Sequence, residues 1–172
     1  MKSRLLLLLG FGVVATALSF AEDNIKTVGG RVTVTYESPD KFTDFKTSSF
    51  GSDKDIDYLT GVFTQHLESL ARQFLPAGAR LEMRFKDIDL AGEFEPQRGP
   101  RADNVRFMRD IYAPRMKISF RLLAADGSVL SEGERKLSQQ NYTMLVVTPA
   151  DDALRYDKGL LTDWMRAEFG KK

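Results

Sequence analysis

Four acids and five arginines crowd one stretch of the chain. Asp87, Asp89, Glu93 and Glu95 come first, and Arg98, Arg101, Arg106, Arg109 and Arg115 follow. Two carboxylates placed two residues apart on extended chain lie on one face, roughly 7 Å apart along the strand. So placed, they could share a hard cation such as calcium or magnesium. A metal held there could activate water for a hydrolase without any histidine, although the glycine and glutamate spacings fit no calcium loop. The plainer expectation is that these acids pair with the arginines after them. The arginines also have a second use, because their planar forks match carboxylates and phosphates. Arg98, Arg101, Arg106 and Arg109 could then contact a partner protein or a small anionic ligand, with Phe94 as an apolar anchor.

Other reactive chemistry is thinly represented. Cysteine is absent, which excludes disulfides, thiol nucleophiles and thiolate zinc sites. His66 is the one histidine, and it sits beside an apolar helical stripe. A lone histidine without companions reads as a boundary residue rather than as a ligand or base. The sequence holds no GxSxG elbow, no histidine zinc motif and no glycine-rich phosphate loop, and it implies no cofactor. A metal-dependent hydrolase built on residues 87–95 is therefore the alternative to a non-enzymatic binding or protein-interaction module. A third expectation is structural: the acidic and basic halves of the stretch form a salt-bridged clasp.

The elements that must position these residues follow from periodicity. Leu81, Met83 and Phe85 alternate with Glu82, Arg84 and Lys86, which is a strand with one buried face. Asp87 breaks the alternation, and Ile88 and Leu90 resume it in the opposite phase. Such a phase shift predicts a β-bulge or a strand end. Arg31 to Tyr36 reads as the first strand, rich in β-branched residues. Phe42, Phe45 and Phe50 follow, either sealing the core edge or forming an exposed aromatic platform. Ser52 to Phe74 is the clearest helix, with Ile56, Leu59, Phe63, Leu67, Leu70 and Phe74 in one stripe and Ser52 and Asp55 placed as a capping box.

The connection from Ala91 to Pro114 is long for a small domain, and such loops often carry function. Val105, Met108 and Tyr112 have helical spacing, so a short helix is expected inside it. Met116, Ile118, Phe120 and Leu122 form the next strand. Asp126-Gly127 is a hairpin signal that places Leu123 opposite Leu130, Arg121 opposite Glu132, and Phe120 opposite Gly133. Met144 to Val147 reads as a short strand. The last helix runs from about Leu154 to Phe169, with Trp164 as a core anchor. The expected architecture is α+β: a mainly antiparallel sheet with both helices packed on one face, a two-layer single domain.

Residues 1–21 read as an export signal. Lys2 and Arg4 precede an apolar run, and Ser19-Phe20-Ala21 is a cleavage pattern; Ala15-Thr16-Ala17 is a second such triplet. Cleavage leaves residues 22–172 as the domain, with no later membrane-spanning run, in the periplasm or outside the cell. It removes two bases and no acid, leaving 23 basic and 24 acidic residues and a formal charge of −1. That balance argues against a nucleic-acid partner.

Four stretches carry a resemblance: Leu75-Pro76-Ala77-Gly78, DIDLAGEFEP from Asp87 to Pro96, RDIYAPR from Arg109 to Arg115, and LLTDWMRAEF from Leu160 to Phe169. In these the chain resembles a family of uncharacterised exported bacterial proteins, a domain of unknown function. The resemblance implies a bacterial envelope setting; for a binding module there, an envelope protein is a candidate partner. It brings no activity and no catalytic residues with it.

Overall fold

The computed structural model describes residues 24–170, so the export signal expected at residues 1–21 lies outside the described residues. The described residues form strands β1 (Ile25–Val28), β2 (Val32–Tyr36), β3 (Arg80–Asp89), β4 (Glu93–Phe94), β5 (Arg106–Phe107), β6 (Arg115–Leu123) and β7 (Val129–Ser138), with helices α1 (Asp53–Phe74) and α2 (Arg155–Phe169). Five strands make one sheet in the order β1-β2-β3-β6-β7, and β4 pairs with β5 separately. The β2–β3 pair is parallel, joined through α1, and the other pairs are antiparallel.

The two-layer packing follows from the alternation. Val32, Val34 and Tyr36 of β2, Leu81, Met83 and Phe85 of β3, and Ile118, Phe120 and Leu122 of β6 are all buried. They meet Leu59, Phe63 and Leu67 of α1 and Leu160, Leu161 and Trp164 of α2 in one core. Each such side chain contributes about 1.5–3 kcal/mol relative to exposure. The opposite sheet face carries Thr33, Thr35, Glu82, Arg84, Ser119 and Arg121 and lines a shallow hollow. Trp164 stacks edge-on against Phe120 and Phe169, as expected of a core anchor. Ser52 caps α1 by accepting from the Asp55 amide at 3.3 Å.

The phase shift in β3 is a bulge: the register with β6 slips between Phe85 and Asp87. Lys86 absorbs the extra residue, so Asp87 and Asp89 point away from the core while Ile88 and Leu90 enter it. Hairpin β6–β7 keeps Phe120 opposite Gly133 and Arg121 opposite Glu132, but Leu123 faces Val129 rather than Leu130. The reason is the turn. The Gly127 amide donates to the Ala124 carbonyl at 3.0 Å, which makes Ala125 and Asp126 its central residues. Gly127, at φ +86°, adds a left-handed residue that only glycine adopts readily.

Four other expectations are corrected. The sheet starts with β1, a four-residue strand too short to signal itself. Arg31 precedes β2 rather than starting it, and its guanidinium donates to the carbonyls of Ala71, Pro76 and Ala79, tying the turn after α1 to the start of β2. The Ala91–Pro114 connection contains no α-helix. It forms single 3-10 turns at Pro96–Arg98 and Pro100–Ala102 and the β4–β5 pair; pairing of Arg106 and Phe107 with Phe94 and Glu93 holds extended the residues that helical spacing assigns to a turn of helix. Met144 ends a 3-10 turn begun at Tyr142, and no strand forms at 144–147.

Candidate functional site

The bulge and the β3 terminus deliver the chain into a cap built from two loops, residues 90–114 and 139–154. Strand β3 ends beside the segment that follows β2. The Asp44 amide donates to the Ile88 carbonyl, and the Leu90 amide donates to the Asp44 carbonyl. Phe42 and Phe45 are buried there, whereas Phe50 projects into solvent. The aromatic trio is thus divided between core sealing and exposure.

Arg106 holds the cap to this end of the sheet. Its guanidinium bonds the Asp44 carboxylate and donates to the carbonyls of Gly92 at 3.0 Å and Lys46 at 2.9 Å. Its face lies 4.4 Å from the centre of the Phe94 ring, a cation–π contact. Phe94 is therefore buried beneath Arg106 and offers no exposed anchor. Glu95 is 4 % exposed and gathers the next shell: Arg98, Arg109 at 3.1 Å and the Tyr112 hydroxyl at 3.3 Å. The Arg98 contact is the largest influence holding the Glu95 carboxyl below its ordinary range, helped by Arg109. Arg98 also lies over the Phe107 ring.

The four acids do not converge. Burial disfavours ionisation of Asp87, but bonds from Lys117 at 2.8 Å and from Thr43 outweigh it, and its carboxyl lies below the usual range. Asp89 pairs with Arg115 at 3.2 Å, yet burial raises its carboxyl, with Asp87 and Glu93 nearby. Glu93 accepts from the Phe94 amide next to it. Among the described residues no three His, Cys, Asp or Glu side chains form a group able to hold a metal ion. Arg101 is exposed and makes no ion pair among the described residues. His66 bridges the helices, its Nε2 lying 3.0 Å from the Lys158 carbonyl and 3.1 Å from the Thr162 hydroxyl. Burial lowers its pKa.

The second loop is fastened from beneath. Tyr142 is fully buried; its hydroxyl accepts from the Arg109 amide at 3.0 Å, and its ring stands edge-on to Tyr156 of α2. Thr143 bonds Asp110. Immediately beyond these cross-ties come exposed aliphatic side chains: Ile111 at 70 %, Met144 at 78 % and Val146 at 96 %. Below them lies Asp157, buried in the first turn of α2, with Oδ1 accepting from the Ala91 amide at 2.9 Å. Sequence reasoning missed Asp44, Tyr142, Asp157 and this apolar group. The apolar run at 144–147 and Ile111 within a charged loop were the available signals.

The sheet, the helices and the ion-paired cap define a two-layer α+β domain whose loop surface combines arginines with exposed aliphatic side chains. The chain belongs to the family described as "Protein of unknown function (DUF3016)", whose model matches residues 30–167. That match takes in the whole cap and all of the sheet except β1. No curated protein and no solved structure matches the chain. No helix among the described residues is long and apolar enough to cross a membrane.

Proposed function

We propose that this is an exported, non-enzymatic interaction module of the bacterial envelope that docks a partner protein on the two-loop cap. The observation that carries this reading is the exposure of Ile111, Met144 and Val146 on loops that are otherwise tied down. Exposed apolar side chains that together form one patch rimmed by polar residues mark interaction sites, and the Tyr142–Arg109 and Thr143–Asp110 ties bring the segments that carry Ile111 and Met144 side by side. Arg98 and Arg109 are about half exposed at the edge of the same cap, and Arg101 is exposed as well. This chemistry suits a partner segment in which acidic side chains border apolar ones.

The reading favours a protein over a small anion for a physical reason. Arg98, Arg106 and Arg109 already bond carboxylates of this chain. A small anionic ligand gripped by the forks of these three would have to displace Glu95 or Asp44, whereas a protein surface can use the outer edges of Arg98 and Arg109 in place. The export signal at residues 1–21 supplies the envelope setting. The hydrolase alternative draws no support from acids spread over Lys117, Arg115, Arg98 and Arg109.

The test is crosslinked capture from the organism that makes the protein, comparing the native chain with Ile111→Glu and Met144→Glu. Both positions are solvent-exposed, so melting temperatures should stay within about 2 °C, since surface changes usually stay within ±0.5 kcal/mol. The expected result is a discrete partner recovered with the native chain and reduced at least tenfold with either variant. Equal recovery with all three proteins would count against the cap as the docking surface.

A further inference from the structure

The deepest charged cluster of the cap has one carboxylate too many. Asp44 and Asp157 are 3 % and 1 % exposed. Arg106 from β5 is bonded to Asp44. Lys46, on the same segment as Asp44, lies 3.9 Å from it and is partly in solvent. Tyr142 from the second loop and Tyr156 beside Asp157 on α2 bring only neutral phenols. Ala91, from the start of the first loop, brings only its amide. Arg106 therefore balances Asp44, and among the described residues no buried cation remains for Asp157. One oxygen of each carboxylate, Asp44 Oδ1 and Asp157 Oδ2, is buried without a hydrogen-bond partner.

From this geometry we infer that Asp157 is a proton-controlled fastener for the cap: neutral, it holds Ala91 and the first loop against α2, and ionised, it loosens them. A neutral hydroxyl left buried costs far less than a charged oxygen left buried. Ionisation strengthens the bond from the Ala91 amide. It also places a second negative charge beside Asp44 in a site that water reaches only when the loop lifts. Burial pushes the Asp157 carboxyl up to about 7; the Ala91 amide and Arg106 oppose that rise and Asp44 adds to it.

The sign follows from linkage. A group whose pKa is higher in the closed form favours closure fully below its pKa in the open form, and that preference is lost as pH rises through the closed-form value. Closure should therefore weaken between about pH 4, the ordinary carboxylate range, and pH 7, then stay level. The regulatory consequence, a docking surface best ordered on the acid side of neutrality, rests on the interaction reading above.

Hydrogen exchange on the purified full chain from pH 5 to 8.5, corrected for intrinsic rates, tests the fastener without any partner. The interaction reading and the fastener can thus fail separately. In the native chain, protection of the amides at 91–94 and 106–112 should fall with rising pH, by up to about tenfold per pH unit, and level off above pH 7.5. Asp157→Asn, which mimics the neutral acid, should hold that protection constant across the range. Asp44→Asn frees Arg106 for Asp157 and should move the fall to lower pH. A flat native profile, an Asp157→Asn profile that follows the native one, or an unmoved fall in Asp44→Asn would overturn the inference.

Discussion

Arg106 serves Asp44, Lys46 and Gly92 with one planar group while covering the Phe94 ring. A guanidinium suits this because its donors lie in a rigid fork, whereas lysine offers a point charge. Arg106→Ala would strand the buried Asp44 carboxylate, a loss of the kind that costs about 3–5 kcal/mol; urea denaturation should register it as a lower midpoint. Arg106→Lys should recover only part of that loss. Equal midpoints for Arg106→Lys and the native chain would show that charge alone suffices and that the fork is dispensable. Glu95 makes a contrasting prediction. Its depressed carboxyl contributes stability above the ordinary glutamate range, lost as pH falls through its folded value. Glu95→Gln should therefore flatten the acid limb of the stability curve and leave the alkaline limb unchanged.

At the scale of elements, the β3 exit depends on Gly92. Its φ is +78°, and a Cβ there would lie 2.7 Å from Met108 Sδ and 2.9 Å from the Phe107 carbonyl oxygen. Gly92→Ala should destabilise by at least ~2 kcal/mol, from left-handed strain and from contact with backbone that cannot step aside. An unchanged thermal midpoint would contradict the tight packing of β4 and β5 around that turn. These elements also show where sequence reasoning reaches its limit. Helices α1 and α2, the β3 bulge and most of hairpin β6–β7 were legible, because periodicity and turn chemistry are local. The pairing of acidic and arginine-rich halves was legible as charge order, and Glu95 with Arg98 and Arg109 fulfils it. Strand β1 was not, since Ile25–Val28 becomes a strand only by pairing with β2. Helical spacing at Val105, Met108 and Tyr112 misled, because the pairing of β5 with β4 and the long-range bonds of Arg106 impose a different path. Asp157 resembled an ordinary first-turn acid; its burial comes from Ala91, sixty-six positions away.

Across the whole molecule, helices cover one sheet face, and the two loops gather beyond the end of β3 around Asp44, Arg106 and Asp157. The candidate residues then separate by role. Arg106 and Phe94 build the cap, Asp87 and Asp89 tie β3 to β6, and Arg98, Arg101 and Arg109 border its outer surface. Opposed titrations should shape overall stability. Glu95 and Asp87, held below the ordinary range, raise it as pH climbs from acid, and Asp157 lowers it between about pH 4 and 7. The native chain should therefore be most stable on the acid side of neutrality. Asp157→Asn should have a higher melting temperature than the native chain at pH 8 and the same one at pH 4. The central claim, that the cap is the docking surface, is tested most directly by a photoreactive phenylalanine analogue placed in turn at positions 111, 144, 84 and 121, and crosslinked in living cells. The account predicts one discrete adduct from positions 111 and 144 and none from 84 and 121 on the open sheet face. Adducts from the sheet face instead, or from none of the four positions, would contradict it.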